Sequence, residues 1–369
     1  MLDWLAADAS AGGLSDTSFI SPAVLMRRGE RQASPLRDVF VMTALRARED
    51  KDATMAKLEK PAQASGKPVT VLGVRVTHPE RVVFPDAGCT KGDVAAYYAK
   101  AADRMLEHAG HRPVSLLRCP EGINGECFFQ KHTGKGFPSG IARVDIEEKS
   151  GKSEPYMVIE ERQGFAAAAQ MGTIEFHIWG SRTDMLEAPD RVVFDIDPDE
   201  GLPFSGVKAA ASDVRKLLED VGLQSLPMVT GGKGVHVVVP LRRTTGWETV
   251  AAFSRTLAAC LAQRHPERYV ATMSKARRKG RIFIDWLRNE RGATAVAPYS
   301  IRARKGAPVA VPVTWRELSR LASARCFGIA KALKRLDTPC PLQAMNADQS
   351  ISQDMIDALE KLITGSSGS

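Results

Sequence analysis

Three acids in five positions, Asp195, Asp197 and Asp199 of "VVFDIDPDEG" (residues 192–201), close an otherwise apolar run. Alternate side chains of a strand share a face, so Asp195 and Asp197 project together about 6 to 7 Å apart. Carboxylates that close repel unless a cation lies between them. Oxygen-only ligands of this kind suit Mg²⁺ or Mn²⁺, with water and substrate phosphate completing the shell. "DPDEG" is also good turn chemistry, which leaves an acidic strand end as the plain alternative. A second segment, "RIFIDWLRN", is an alternating apolar strand that ends with Asp285 among bases. Asp285 is either a salt-bridge partner of Arg281 or Arg288, or a third ligand. If its strand lies beside the first, three carboxylates converge and can hold two ions about 3.5 to 4 Å apart, a pair that activates a hydroxyl and steadies a leaving pyrophosphate.

Other residues could complete such a site. "PMVTGGKGVHVVVPL" sets a glycine-rich turn before a strand expected over residues 236–241. Glycines let backbone N–H groups approach a phosphate, Lys233 adds a charge and Thr230 a hydroxyl donor. This is no Walker loop, because G-K-[ST] followed by a helix is missing. A hairpin turn with a stray lysine remains open, and His236 is either a satisfied core histidine or a ligand-facing one. Residues 275–305 are rich in lysine and arginine, with Asp285 and Glu290 as the only acids. Such a run is commonly a solvated face, yet this one brackets a carboxylate. Arg302 and Arg304, two apart in "YSIRAR", point the same way on a strand and could fork onto a triphosphate. Phe128 and Phe129 in "ECFFQKH" are most simply one core ring and one exposed ring; functionally they would be a platform for a base.

The elements that must position these groups are legible from about residue 70 to 340, where apolar strands, Pro/Gly turns and helical patterns alternate. Val207, Ala210, Val214, Leu217, Leu218 and Val221 form one helical stripe, and Val250, Phe253, Leu257 and Leu261 a second. Both helices are expected to cover a sheet. Residues 1–67 read as an extension and linker with little core of their own, and 343–369 as a tail carrying a short amphipathic helix after possible caps Asp348 and Ser350. The 369 residues are 44% hydrophobic, enough for a full core, and the net charge of +8 favours a polyanionic partner without proving one. No run of eighteen apolar residues and no signal-peptide pattern appears, so a soluble cytoplasmic protein is expected. Six cysteines, with no C-x-x-C pair and no zinc spacing, read as reduced thiols.

Taken together, "FDIDPDEG", "TGGKGVHVVVPL", "KARRKGRIFIDWLRNERGATAVAPYSIRARKGAPVAVPVTW" and "PERVVFPDAGCTKGDVAAYY" resemble the polymerase domain of bacterial DNA ligase D, of the archaeo-eukaryotic primase superfamily. The resemblance covers residues 70–340 and joins several motifs in order. It implies an α+β fold with mixed or antiparallel sheets, flanking helices and an RRM-like catalytic core. It further implies a nucleotidyltransferase that uses two Mn²⁺ or Mg²⁺ ions and prefers ribonucleotides, extending or filling DNA ends in non-homologous end joining. By motif, Asp195, Asp197 and Asp285 resemble the metal-binding triad, and Thr230, Lys233 and His236 the residues handling the incoming sugar and phosphates. Lys275, Arg278, Arg302 and Arg304 fall where the family contacts triphosphate or nucleic-acid backbone. Phe128 and Phe129 resemble its stacking pair, Arg81 and Lys91 its binders of the downstream 5′-phosphate. His177 in "IEFHIWGSR" matches a family histidine without a role assigned here.

Expected partners are gapped or broken DNA with a 5′-phosphate, nucleoside triphosphates, bacterial Ku and a separate ATP-dependent ligase, for a monomer at the bacterial nucleoid. One departure lies ahead of the glycines, where relatives often read lysine, threonine, serine and this chain has Met228, Val229 and Thr230. The last hydroxyl survives. "LRDVFVMTALRAREDKDA" faintly resembles the end of a ligase domain, but no K-x-D-G motif occurs. Two alternatives stand beside the polymerase: a D-x-D phosphohydrolase with Asp195 as nucleophile, and a DNA-end-binding module without catalysis.

Overall fold

The computed structural model describes residues 66–365 apart from 135, 137, 139, 149 and 344–346. The expected N-terminal extension therefore lies, but for its last two residues, outside the described residues. Two hairpins, β1 (Val69–Val71) with β2 (Val74–Val76) and β3 (Val82–Phe84) with β4 (Cys89–Thr90), lead into helix α1 (Lys91–Ala109). A capping box starts that helix: the Thr90 hydroxyl accepts from Asp93 N, and the Asp93 carboxylate accepts from Thr90 N.

One six-stranded sheet takes β5 (Pro113–Arg118), β6 (Phe128–Gln130), β7 (Ala142–Glu147), β8 (Ser153–Val158), β9 (Thr173–Ile178) and, across a long connection, β15 (Ala295–Val296). Helix α2 (Arg162–Gln170) packs an alanine-rich face between α1 and this sheet. The second sheet carries the acids, in the order β13 (Tyr269–Val270), β14 (Ile282–Asp285), β10 (Arg191–Pro198), β12 (Val235–Pro240), β11 (Leu226–Val229), β16 (Val311–Pro312). Its pairings are antiparallel except β13 with β14. The fold is thus α+β with mixed and antiparallel sheets.

Helices α3 (Phe204–Asp220) and α4 (Trp247–Arg264) cover the acidic sheet, as their stripes predict. Val207, Val214, Leu217 and Leu218 are buried, each worth about 1.5–3 kcal/mol. That outweighs helix-propensity differences of roughly a few tenths of a kcal/mol, so packing decides these elements. Beyond them lie α5 (Lys275–Arg278), α6 (Trp315–Arg320), α7 (Ile329–Leu336) and α8 (Gln353–Gly365). Helix α8 packs on α4 and sinks Ile356 and Leu359 into the main core.

Two local expectations are corrected. Asp348 and Ser350 do not cap α8: Asp348 pairs with Arg242, and Ser352 Oγ accepts from Met355 N at 3.4 Å. The cysteines are not all thiols: Cys119 and Cys127 are joined, because the turn between β5 and β6 brings their Cα atoms to 4.3 Å. No helix among the described residues is long and apolar enough to cross a membrane.

Candidate active site

Strand β10 is central, so its apolar residues Val192, Phe194 and Ile196 are buried while its polar alternates line one face. Asp195 pairs directly opposite Asp285 on antiparallel β14, and Asp197 follows two residues along. The carboxylates of residues 195 and 285, ninety positions apart in the chain, thereby occupy one sheet face. Of the two readings of Asp285, the salt bridge is present. Arg288, one short turn beyond β14, reaches Asp285 Oδ2 at 3.1 Å through Nη2 and Asp195 Oδ2 at 3.5 Å through Nε. On the other side of β10, His236 of β12 sits opposite Asp195, with Nε2 3.5 Å from Oδ1. The buried Nδ1 of His236 has no hydrogen-bond partner among the described residues. Asn289 fixes the acidic strand by accepting from Val193 N (2.7 Å) and donating to Val193 O (2.8 Å).

Charge here is unevenly balanced. Burial alone would raise the Asp195 carboxyl, but His236, Arg288 and Arg302 outweigh it and hold the group well below the carboxylate range. Asp197 is pushed up by burial and by Asp195. Asp285 is also raised, by burial first and by Asp195, against the opposing pull of Arg288. Two of three acids thus carry negative charge that their surroundings do not fully compensate. Asp199 plays a different part: it accepts from Gly280 N at 2.7 Å and braces the turn before β14.

Among the described residues no group of three His, Cys, Asp or Glu side chains is gathered tightly enough to hold an ion as it stands. Arg288 is the cation now shared by Asp195 and Asp285. The donor set nonetheless fits a hard divalent ion: oxygen ligands on one face, under-compensated, beside an open cleft.

That cleft, about 710 Å³, is lined by Asp195, Asp197, Thr230, Lys233, His236 and Arg302, with His177, Lys275, Arg288 and Arg304 at its walls. Its floor is shaped by the glycine turn. Gly231 adopts φ +69°, and a Cβ on Gly234 would meet Ile196 O at 2.4 Å, so only glycine lets the turn press against the acidic strand. The Thr230 hydroxyl donates to Gly234 O at 2.9 Å and accepts from Gly232 N at 3.2 Å. Its proton is therefore committed to the turn, where the sequence reading made it a donor to the nucleotide. Lys233 reaches the cleft, 3.7 Å from Glu200.

Arg302 and Arg304 do not lie on a strand. They occupy a bend in which Arg304 N donates to Arg302 O at 2.7 Å. The reason is local: strand-like pairing here stops at a single bridge, Ile301 with Val309. Arg302 is tethered and Arg304 exposed, though both line the cleft. Lys275 and Arg278 lie on the short α5, and the Arg278 guanidinium sits 3.8 Å from the Phe283 ring centroid. Phe128 and Phe129 are both exposed, at 41% and 62%, so neither is the core ring that the sequence allowed for. The Phe129 ring meets His177 edge-on at 5.1 Å, which puts Phe129 beside a residue that lines the cleft, whereas the Phe128 ring lies under the Arg118 guanidinium at 5.3 Å.

Arg81 and Lys91 form a separate group. Lys91 N donates to Arg81 O at 2.8 Å at the start of α1. Arg81 donates to Pro120 O at 2.7 Å, and the Lys91 ammonium to Thr77 O (3.0 Å) and Gln170 Oε1 (2.9 Å). Burial, with Arg81 adding to it, brings the Lys91 amine down to about 8.

Sequence reasoning missed Glu175 and gave Arg288 no part beyond a salt bridge. For Arg288 the i, i+3 spacing from Asp285 was a usable signal. For Glu175 the signal was only its two-residue spacing from His177 on a strand.

Comparison with known proteins follows the same outline. A family model described as LigD, primase-polymerase domain, matches residues 90–341. The multifunctional non-homologous end joining protein LigD of Pseudomonas aeruginosa is 40% identical over 301 residues, covering 79% of this chain and 36% of that protein. Its counterpart from Mycolicibacterium smegmatis is 36% identical over 285 residues, covering 76% and 37%. The chain thus spans about a third of the length of these relatives. The solved polymerase domain from Mycobacterium tuberculosis ligase D, in complex with DNA, aligns with a TM-score of 0.69 at 31% identity, over 75% of this chain and 99% of that one.

Proposed function

Because the chain belongs to the LigD primase-polymerase family, we propose that it is a nucleotidyltransferase that adds nucleotides to DNA 3′ ends in the repair of double-strand breaks. The observation that carries this reading is the pairing of Asp195 with the buried Asp285 on adjacent strands, where Asp195 and Asp197 line a cleft that also holds Lys233, Lys275, Arg302 and Arg304. Asp195, Asp197 and Asp285 would hold the divalent ions. Bound there, Mn²⁺ or Mg²⁺ would supply Lewis acidity to the attacking hydroxyl and neutralise charge on the departing pyrophosphate.

The chain's own side chains do the rest. Lys233, Arg302 and Arg304 would bind and orient the triphosphate, with Lys275 and Arg278 at the outer end. The glycine turn holds backbone close to it, and its Thr230 keeps that turn in shape. His236, whose Nε2 faces Asp195 and whose Nδ1 is left without a partner among the described residues, would meet the nucleotide sugar. Phe128 and Phe129 would stack a templating base at the cleft rim. No protein nucleophile is needed. The proposed setting is the bacterial cytoplasm, with Ku and an ATP-dependent ligase as partners.

Primer extension on gapped DNA bearing a 5′-phosphate tests this. We expect template-directed addition dependent on Mn²⁺ or Mg²⁺, with ribo- and deoxyribonucleotides compared side by side. DNA binding without incorporation would favour the end-binding module, and phosphate release without DNA the phosphohydrolase.

Arg81 and Lys91 would hold the downstream 5′-phosphate, and a pH dependence follows. A phosphate needs the ammonium form. Lys91 keeps its proton below its value of about 8 and loses it above. The advantage of a 5′-phosphorylated gap over an unphosphorylated one is therefore full near pH 7 and shrinks about tenfold by pH 9. Competition binding with both DNAs across that range measures it; a constant ratio contradicts the assignment of Lys91.

A further inference from the structure

A buried acid that touches no metal-site residue ties the two ends of the cleft together. Glu175 of β9 keeps only 4% of its side chain exposed. A carboxylate so buried is costly unless donors surround it. Three do: His177 Nε2 at 2.8 Å and Arg302 Nε at 2.9 Å, both on Oε2, and Ala303 N at 2.8 Å on Oε1. Burial raises the Glu175 carboxyl, but these donors and the Arg302 charge prevail and bring it down to about 2.

The consequences reach both neighbours. Arg302 bridges from Glu175 to Thr230 O, to which Nη1 donates at 2.7 Å. A guanidinium has five N–H donors, so with two spent inside the protein three remain for a ligand in the cleft that Arg302 lines. The ring of His177 is largely covered, with 13% of its side chain exposed to the cleft, and burial lowers its basicity against the pull of Glu175. As a neutral ring donating Nε2–H to Glu175, it leaves Nδ1 as an acceptor. Its ring also meets Phe129 at 5.1 Å.

We infer that Glu175 is a positioning residue for nucleotide binding, one buried carboxylate that sets the orientation of both Arg302 and His177 and so couples the triphosphate end of the cleft to the aromatic rim. This rests on the reading of the cleft as a nucleotide site. The charge matters as much as the shape. A glutamine offers one acceptor oxygen, and its NH₂ would face a donor. With the NH₂ in the place of Oε2, His177 can adapt by moving its proton from Nε2 to Nδ1, which turns its acceptor into a donor, but Arg302 Nε, which shared that oxygen, cannot.

The test is Glu175→Gln in the full chain, alone and combined with Arg302→Ala, assayed by primer extension. Glu175→Gln should raise KM for the nucleotide about tenfold or more, with kcat changed less and gapped-DNA affinity unaltered. In the Arg302→Ala background the same change should add less than about twofold, the mark of a shared interaction. ¹⁵N-histidine NMR should show the His177 proton exchanged between its nitrogens. An unchanged KM, or a full effect that persists without Arg302, overturns the inference. Should Glu175→Gln fail to fold, Arg302→Lys substitutes for it: the lysine keeps charge but cannot bridge Glu175 and Thr230 O, so a normal KM refutes the coupling. If the unmodified protein adds no nucleotide, the functional reading falls and takes this inference with it; if it does and Glu175→Gln behaves like it, only the inference falls.

Discussion

Asp195→Asn abolishes nucleotide addition, lowering kcat about 10³-fold or more, while gapped DNA is bound as before. Asparagine has the same shape, so the buried neighbours of residue 195 keep their packing. What is lost is the charge between His236 and Arg288 and opposite Asp285. The remaining acids are not substitutes: Asp197 and Asp285 are raised, in part by Asp195 itself, and removing Asp195 lets both ionise more easily without restoring a third anionic ligand. Single-turnover extension of a labelled primer gives the answer, with DNA binding measured on the same preparation. Incorporation within about tenfold of the unmodified protein would show that chemistry does not depend on this carboxylate.

Arg288→Ala should lower incorporation about 100-fold and, separately, make the fold more responsive to divalent ions. Arg288 is now the cation between Asp195 and Asp285. Burial opposes its charge, but Asp195, Asp285 and Asp197 more than repay that and raise its affinity for the proton. With 39% of its side chain exposed, solvent screens these pairs, and the stability lost without metal should be only about 1 kcal/mol. In the variant, Asp195 keeps His236 but neither it nor Asp285 is bridged by a guanidinium, whereas in the unmodified protein an incoming ion competes with one. Mn²⁺ should therefore raise the Tm of Arg288→Ala by more than it raises that of the parent. Thermal melts with and without Mn²⁺ decide it, and equal shifts would mean that Arg288 and the ion do not share these carboxylates.

Strand alternation is covalent geometry, and the sequence alone determined everything that depends on it. Asp195 and Asp197 share a face because β10 is extended, and Asp285 ends an apolar strand for the same reason. The helices α3 and α4 were equally legible, since a stripe at helical spacing leaves few other ways to bury Val207, Val214, Phe253 or Leu257. The motif order also carried the family, because several separated segments agreed.

Only the tertiary structure decided who meets whom. Nothing local to "RIFIDWLRN" requires that β14 lie against β10, nor that Arg288 share both acids. The bend at Arg302 and Arg304 and the outward turn of both Phe128 and Phe129 depend on what packs around them. The joining of Cys119 to Cys127 required the path of one turn, which composition does not encode. Glu175 is the clearest case: its partners Arg302 and Ala303 lie more than 120 residues away. A period of two or 3.6 reports which way a side chain points, whereas the partner it finds is set by burying faces from distant segments together, and that is a property of the whole core.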